Sequence, residues 1–340
     1  MFIFIKPMTE PSYVDLYRNG KLKERISSLN EFLSKCELCP HKCGVNRLMG
    51  KLGLCRAGMI PRIFSYQFHL GEEPAISGVS GSGTIFFSYC TGRCIYCQNW
   101  HFSRLGEGKE VTAEGLADIM MELQKGGCHN INLVTPTHYI ARILEALEIA
   151  IGLGLNIPIV YNTSGYERVE ILKLLEGIID IYLPDMRYSD NEAAEKYSGF
   201  KDYVEINRIS VKEMYRQVGN IKLESDIAVR GLIIRHLILP HNLSGTLKVM
   251  QFIKEEISQE CFISLMSQYY PFYQADNTPL LNRPITREEY ENACKVMLDL
   301  GLENGWIQEE MDEKTRRDFA GVYFKPFSTD AHNKRNTNYC

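Results

Sequence analysis

The chain has no run of about 18 apolar residues, so no membrane-spanning helix is expected. It also lacks an excess of charge of either sign. Its 38 basic residues face 42 acidic ones, and the formal net charge is -4. That balance excludes a chain-wide cationic footprint for nucleic acid; only a local basic patch stays open, and a nucleic-acid partner is not expected. No internal repeat is present. The first residues, MFIFIKPMTEPSY, begin apolar but are too short for a signal peptide and carry no cleavage pattern. Glycines 78, 81 and 83 stand before a strand pattern instead of leading from a strand into a helix. They therefore fail as a dinucleotide-binding fingerprint and read as a turn that lets the chain enter the sheet closely. The 11 cysteines do not form a disulfide framework, which predicts reduced thiols, a cytoplasmic location and oxygen sensitivity. Cys128, Cys261, Cys294 and Cys340 are scattered and read as packing or surface residues.

What is present is an alternation of apolar strand-like runs with helical patterns. At 340 residues the chain accommodates one domain of about 200–250 residues with smaller extensions. Candidate strands are Thr84–Tyr89, Asn130–Val134, Ile157–Tyr161, Ile178–Tyr182, Ala228–Leu239 and Cys261–Met266. Between them fall helical patterns at Thr112–Lys125, Tyr139–Gly152, Glu167–Leu175, Asn191–Tyr197, Val211–Val218 and Thr246–Ile257. Thr112 is placed as an N-cap. Val-, Ile- and Leu-rich strands separated by helices predict a parallel α/β sheet, and six units favour a partial barrel over a doubly wound sheet. Residues 1–75 read as an N-terminal extension with a helical look at Ser27–Ser34, residues 76–275 as the barrel, and residues 276–340 as a helix, Arg287–Leu300, followed by a flexible tail.

Three cysteines, Cys90, Cys94 and Cys97, sit at C-x3-C-x2-C spacing in the run YCTGRCIYCQNW. Most [4Fe–4S] clusters take four thiolates, one per iron. A tight group of three leaves one iron open to chelate the amino and carboxylate groups of S-adenosylmethionine (SAM). Electron transfer into the sulfonium then releases a 5′-deoxyadenosyl radical, chemistry that belongs to the cofactor and that the protein positions and shields. A zinc site with His101 as fourth ligand is an alternative, and buried free thiols a further one. A second group, Cys36, Cys39, Cys43 and Cys55, has C-x2-C-x3-C-x11-C spacing and suits structural zinc or a second, fully ligated cluster, with His41 able to replace one thiol.

Polar residues follow the predicted strands: Thr135-Pro136-Thr137-His138, Asn162-Thr163-Ser164, Pro184-Asp185-Met186-Arg187, Pro240-His241-Asn242 and Ser267-Gln268-Tyr269. Sites in α/β barrels form at that end of the strands; as single residues these are also ordinary turn formers. Arg235 and His236 face opposite sides of one strand, so one should point inward, where a charge needs either a bound carboxylate or an internal Asp or Glu. His69, Glu72 and Glu73 read as a surface loop, with a ligand or acid–base role as the alternative.

The stretches CPHKCGVNR, GEEPAISGVSGSGTIFFSYCTGRCIYCQNW, NINLVTPTHYI, IPIVYNTSGYE, DIYLPDMRYSD, EMYRQVG, GLIIRHLILP and ISLMSQYYP resemble radical SAM proteins related to pyruvate formate-lyase activating enzyme. The resemblance covers roughly residues 35–300. It implies a partial (β/α)6 barrel, a [4Fe–4S] cluster on Cys90, Cys94 and Cys97, and SAM as cofactor. By the same resemblance Tyr96 lies near adenine, and Asn162, Thr163 and Ser164 near the ribose or carboxylate. Asp185-Met186-Arg187 stands where activating enzymes have Asp-x-Lys, which helps to bind a cation and the SAM carboxylate; Arg presents a planar fork where Lys presents a point charge. Thr135-Pro136-Thr137 replaces the usual Gly-Gly-Glu run. That departure leaves a second reading, an iron–sulfur binding or sensing protein with a degenerate barrel. The first reading implies a flavodoxin or ferredoxin as one-electron donor, and a substrate that includes a glycine of a partner protein among its candidates.

Overall fold

The computed structural model describes residues 10–309. Ten strands build the sheet: β1 (Arg62–His69), β2 (Ser82–Phe87), β3 (Lys109–Glu110), β4 (Ile131–Val134), β5 (Ile159–Thr163), β6 (Ile181–Pro184), β7 (Lys222–Glu224), β8 (Ile227–Leu237), β9 (Phe262–Met266) and β10 (Gly305–Ile307). Their order is β10-β9-β8-β6-β5-β4-β2-β1-β3, with β7 hairpinned onto β8. From β2 through β10 every neighbour along that path is parallel, whereas β1 and β3 run antiparallel at one edge. Each successive parallel strand joins the same growing edge. A doubly wound sheet would reverse direction at a switch point; this one does not, so it curls into an open, partial barrel.

All six predicted strands are present within a few residues. Four strands were not foreseen. β1 precedes residue 76, so the division placed there cuts through the sheet. β10 follows the helix Arg287–Asp299 in what was read as tail, and gives the sheet a seventh parallel strand. The hairpin strand β7 and the two-residue edge strand β3 are the other two. The described residues include neither the first nine residues nor residues 310–340, so most of the predicted flexible tail and Cys340 lie outside them.

Alternation along the strands sorts side chains into two cores. Tyr161, Tyr182, Leu232 and Ile234 point outward into the large cluster beneath the helices. Their neighbours Val160, Ile181, Leu183 and Ile233 point inward and pack on Ala75 and Ile76, from the short helix Pro74–Ser77 that plugs the barrel. Gly78 and Gly81, both with positive φ, then turn the chain into β2, and a Cβ on Gly83 would come within 2.7 Å of the Asn130 carbonyl oxygen. Thr112 caps the helix Ala113–Lys125, its hydroxyl oxygen accepting from the Gly115 N–H at 3.2 Å. The helix Ser12–Arg18 packs at the other end, where the Tyr13 hydroxyl donates to the Ile157 carbonyl at 2.7 Å and the Ser12 N–H to Asp180 at 3.3 Å. The helix Lys21–Glu31 lies on the outer helices Ile140–Gly152 and Val169–Leu174.

Candidate functional site

Cys90 follows β2 after Tyr89, which holds a left-handed φ of 67°. Thr135, after β4, holds 53°, and Tyr273, after β9, holds 60°. Backbone strain of this kind persists where surrounding contacts over-determine it. The three-cysteine loop is pinned on several sides. The Arg93 N–H donates to the Ser198 carbonyl at 2.8 Å and the Ile95 N–H to the Tyr197 carbonyl at 2.9 Å, while the Ile95 carbonyl accepts from the Gln274 N–H at 2.9 Å. Trp100 stacks on Tyr273, with ring centroids 5.3 Å apart. Gly92 must be glycine for space, because a Cβ there would meet the Phe200 ring at 2.7 Å.

Each thiol of this loop has a polar neighbour of its own. The Gly92 N–H donates to Cys90 Sγ at 3.3 Å, Arg187 Nη1 donates to Cys94 Sγ at 3.0 Å, and Ser103 Oγ lies 3.2 Å from Cys97 Sγ. Arg187 is itself held by Asp185, with Nη2 to Oδ2 at 2.5 Å. The predicted pair Asp185 and Arg187 therefore converges with the cysteines. Burial and the neighbouring Cys94 push the Cys90 thiol up to about 12, so ligation must displace its proton. Among the described residues no three His, Cys, Asp or Glu side chains gather as on one metal ion. A cubane distributes its thiolates over separate irons, so three thiols on one loop with separate donors fit that group. His101 packs edge-on against Phe64 at 5.0 Å, and its Nε2 has no partner among the described residues.

The other predicted contacts divide. Tyr96 is buried, and its hydroxyl lies 2.6 Å from that of Tyr188, which is 2.7 Å from Ser198 Oγ. Asn162 faces inward on β5, opposite in direction to Tyr161. The Thr135 N–H donates to the Asn162 carbonyl at 2.8 Å, and Pro136 leads from there into the short turn Thr137–Tyr139. The Ser164 carbonyl accepts from Tyr203 Oη at 2.9 Å. Thr137 and Thr163, by contrast, both aim their hydroxyls at Glu167: Thr137 Oγ1 donates to its Oε1 at 2.6 Å, and Thr163 Oγ1 to the same oxygen. Glu167 was expected as a helix start. The helix begins at Val169 instead, and Glu167 is fully buried behind the rim.

Arg235 points into the barrel, where Glu72 and Glu73 meet it; Nε reaches Glu73 Oε1 at 2.6 Å. The internal carboxylates thus supply the partner, and the stretch read as a surface loop contains a buried Glu73. His236 faces the helix side, between the Met186 carbonyl at 2.7 Å and Thr246 Oγ1 at 3.0 Å, so it does not reach a cofactor inside the barrel. Burial lowers it to about 4. Asn132 was missed by the sequence reading. It lies on β4 between Thr84 and Val160, is fully buried, and has neither amide atom partnered among the described residues. An uncharged residue inside a strand carries no sequence signal for such a role.

Cys36, Cys39, Cys43 and Cys55 lie within electrostatic range of one another, without gathering as on one metal ion. Burial raises Cys36, Cys39 and Cys55, and each also senses other thiols of the group. The Cys36 N–H donates to the Val45 carbonyl at 2.8 Å, and a Cβ on Gly53 would touch Cys43 Sγ. This segment docks onto the rim: Arg47 Nη1 donates to the His138 carbonyl at 2.6 Å, and His41 Nε2 donates to the Thr91 carbonyl, inside the three-cysteine loop, at 2.8 Å.

Glu167 gives a test of the buried rim. Burial raises its carboxyl to about 7, against hydroxyl donors that pull it down. A carboxyl with a raised folded value favours the folded state when protonated. Its contribution is full below about 4.5 and is lost as pH rises to about 7, up to about 3 kcal/mol at 1.36 kcal/mol per unit. Glu167→Gln should therefore stabilise the protein at pH 8 relative to wild type and lose that advantage at pH 4. Denaturant midpoints at the two pH values check this; a constant difference would reject it.

A sequence profile of the radical SAM superfamily matches residues 84–252. The uncharacterized protein MJ0674 of Methanocaldococcus jannaschii is 32% identical over 285 residues, 80% of this chain and 77% of the relative. A second uncharacterized protein of that organism, MJ0808, is 22% identical over 298 residues, 80% of each chain. Among solved structures, the [FeFe]-hydrogenase maturase HydG superposes with a TM-score of 0.49 at 15% identity, over 73% of this chain and 56% of that one. Methylornithine synthase PylB does so with 0.47 at 15% identity, over 76% and 77%. With its three-cysteine loop at the head of a parallel barrel, the chain belongs to the radical SAM superfamily, whose members use a [4Fe–4S] cluster and SAM.

Proposed function

We propose that this protein is an enzyme that cleaves SAM reductively and takes a hydrogen atom from a substrate bound inside the barrel. The observation that carries this is the loop on which Cys90, Cys94 and Cys97 each have a separate polar neighbour. Those three residues would hold the cluster. When bound, the cluster supplies the one-electron cleavage that yields a 5′-deoxyadenosyl radical. Arg187 keeps a positive charge beside Cys94 and is oriented by Asp185. A hydrogen bond from a cation to a ligating thiolate stabilises its negative charge. Tyr96 is locked by Tyr188 and Ser198, which fixes the third-cysteine side of the loop. Asn162 and the strained Thr135 line the same rim and are proposed as SAM contacts. Asn132 offers a donor and an acceptor inside the barrel, and a buried amide left unpaired is costly, so a polar group of the substrate or an ordered water is its natural partner. Cys36, Cys39, Cys43 and Cys55 are proposed as a second metal site, zinc or iron–sulfur, that holds the rim in place.

The substrate class is the open term, with a glycine of a partner protein as the reading suggested by the activating-enzyme resemblance. Extract from deuterium-grown cells, split into macromolecular and small-molecule fractions, tests it. Each fraction is incubated anaerobically with reduced enzyme and unlabelled SAM, and 5′-deoxyadenosine is weighed by mass spectrometry. Deuterium from the macromolecular fraction is the expected result. Deuterium only from small molecules would reject a protein substrate, and no 5′-deoxyadenosine in any incubation would reject the enzyme reading.

A further inference from the structure

Between Leu38 and Gly71 the chain has no aspartate or glutamate, yet it carries Lys42, Arg47, Lys51, Arg56 and Arg62. In a protein of net charge -4 this is a local reversal of sign. Arg47 is buried, ties the segment to the rim through the His138 carbonyl and braces it internally through the Gly58 carbonyl. Lys42, Lys51 and Arg56 are exposed. So are three large apolar side chains among them: Leu48 at 53%, Met49 at 73% and Leu52 at 57%. Local turns order the stretch: the Lys51 N–H donates to the Asn46 carbonyl at 3.1 Å and the Arg56 N–H to the Gly53 carbonyl at 3.0 Å. Two acids lie at its border. Glu170 senses Lys42 beside Arg168, and Glu37 pairs with Arg168 and Lys35.

This face adjoins the proposed cluster. His41 links it to the Thr91 carbonyl, and Arg93, exposed on the three-cysteine loop, lies close enough to act on His41. Exposed apolar side chains interspersed in sequence with lysine and arginine offer what an acidic protein recognises: charge steers the encounter, and apolar contact holds it.

We propose that Lys42, Leu48, Met49, Lys51, Leu52 and Arg56 form the docking surface for an acidic one-electron carrier, a flavodoxin or ferredoxin. The inference rests on the radical SAM reading and adds the place where its electron enters. One electron would leave the reduced carrier, oxidising it by one electron, and pass to the cluster that Cys90, Cys94 and Cys97 would hold. No proton or other group is transferred.

The test measures binding of an acidic flavodoxin and an acidic ferredoxin to the full chain, before and after iron–sulfur reconstitution, at low and high salt. The wild type should bind one of them, more weakly at high salt. The variant Lys42→Glu/Lys51→Glu/Arg56→Glu should bind about tenfold more weakly or worse, a difference of about 1.4 kcal/mol per decade. Its reduction by dithionite, which needs no docking, should match wild type. Lys51→Gln/Arg56→Gln, a milder change, should fall between them and covers the case in which the triple variant misfolds. Equal binding by wild type and folded variants, or binding that ignores salt, would overturn the proposal. Salt-dependent binding of RNA with no binding of either carrier would overturn it too. Intact carrier binding without 5′-deoxyadenosine from dithionite-reduced enzyme would uphold the docking surface and reject the catalytic reading.

Discussion

Cys97→Ala is expected to strip the cluster from the three-cysteine loop and to reduce 5′-deoxyadenosine formation by about 1,000-fold or more, a barrier change of about 4 kcal/mol. The loop has no spare thiol. Cys90 and Cys94 are already proposed as ligands, and Ser103 Oγ, 3.2 Å from Cys97 Sγ, is a poor ligand for iron. The fold should survive, because the loop is anchored by Arg93, Ile95 and Trp100 rather than by the Cys97 side chain. Iron and sulfide content, the electron paramagnetic resonance of the reduced protein, and 5′-deoxyadenosine yield would be measured side by side. Ser103→Ala is the contrast: the cluster should load, with a changed reduction potential, because a hydrogen bond near the sulfur is lost. Wild-type 5′-deoxyadenosine yield from Cys97→Ala would sink the assignment of the site.

Arg235→Ala should destabilise the protein by about 3–5 kcal/mol at pH 8, the usual cost of leaving buried charges uncompensated. Glu72 and Glu73 both close on this guanidinium, and Ser264 adds a hydrogen bond to Glu73. Burial alone would raise the Glu73 carboxyl; Arg235 beside it more than cancels that and holds it below the ordinary range. A carboxyl lowered in the folded state stabilises it above the unfolded value, and that contribution fades as pH falls through the folded one. Without Arg235 the sign reverses, because burial then favours the protonated acid. The gap between wild type and variant should therefore narrow on acidification from pH 8 to pH 4. Denaturant midpoints read this, and a gap that stays constant or widens would show that the ion pair is not its source.

The barrel was legible because its signal is repeated. Each of the six predicted strands is an apolar run followed by a helical pattern, and all six fall within a few residues of their positions. β1 escaped because it lies between the two cysteine groups, away from any long helix that would mark a repeat. β10 has only three residues, too few for periodicity to register. Cysteine spacing carried the site, since ligation requires a particular residue type. The polar rim was harder to read. Thr163 stands between Asn162 and Ser164 in sequence, and Thr137 two residues after Thr135, yet both hydroxyls go to Glu167, behind the strand. The partner of Arg235 lay some 160 residues away, in a stretch whose acids resemble any exposed loop.

The strand order has a consequence for how the protein is made. β2 pairs with β1, and β3 then joins the outer side of β1; β4, β5, β6, β8, β9 and β10 add in turn to the opposite edge. No strand has to slip between two that are already bonded. Chain emerging from a ribosome at about 5–20 residues per second therefore meets a finished edge each time. Both cysteine groups emerge before β4, and the rim that encloses them is laid down afterwards, one crossover after another. The wall grows around its metal-binding end, and the last parallel strand to arrive, β10, is set by residues 305–307.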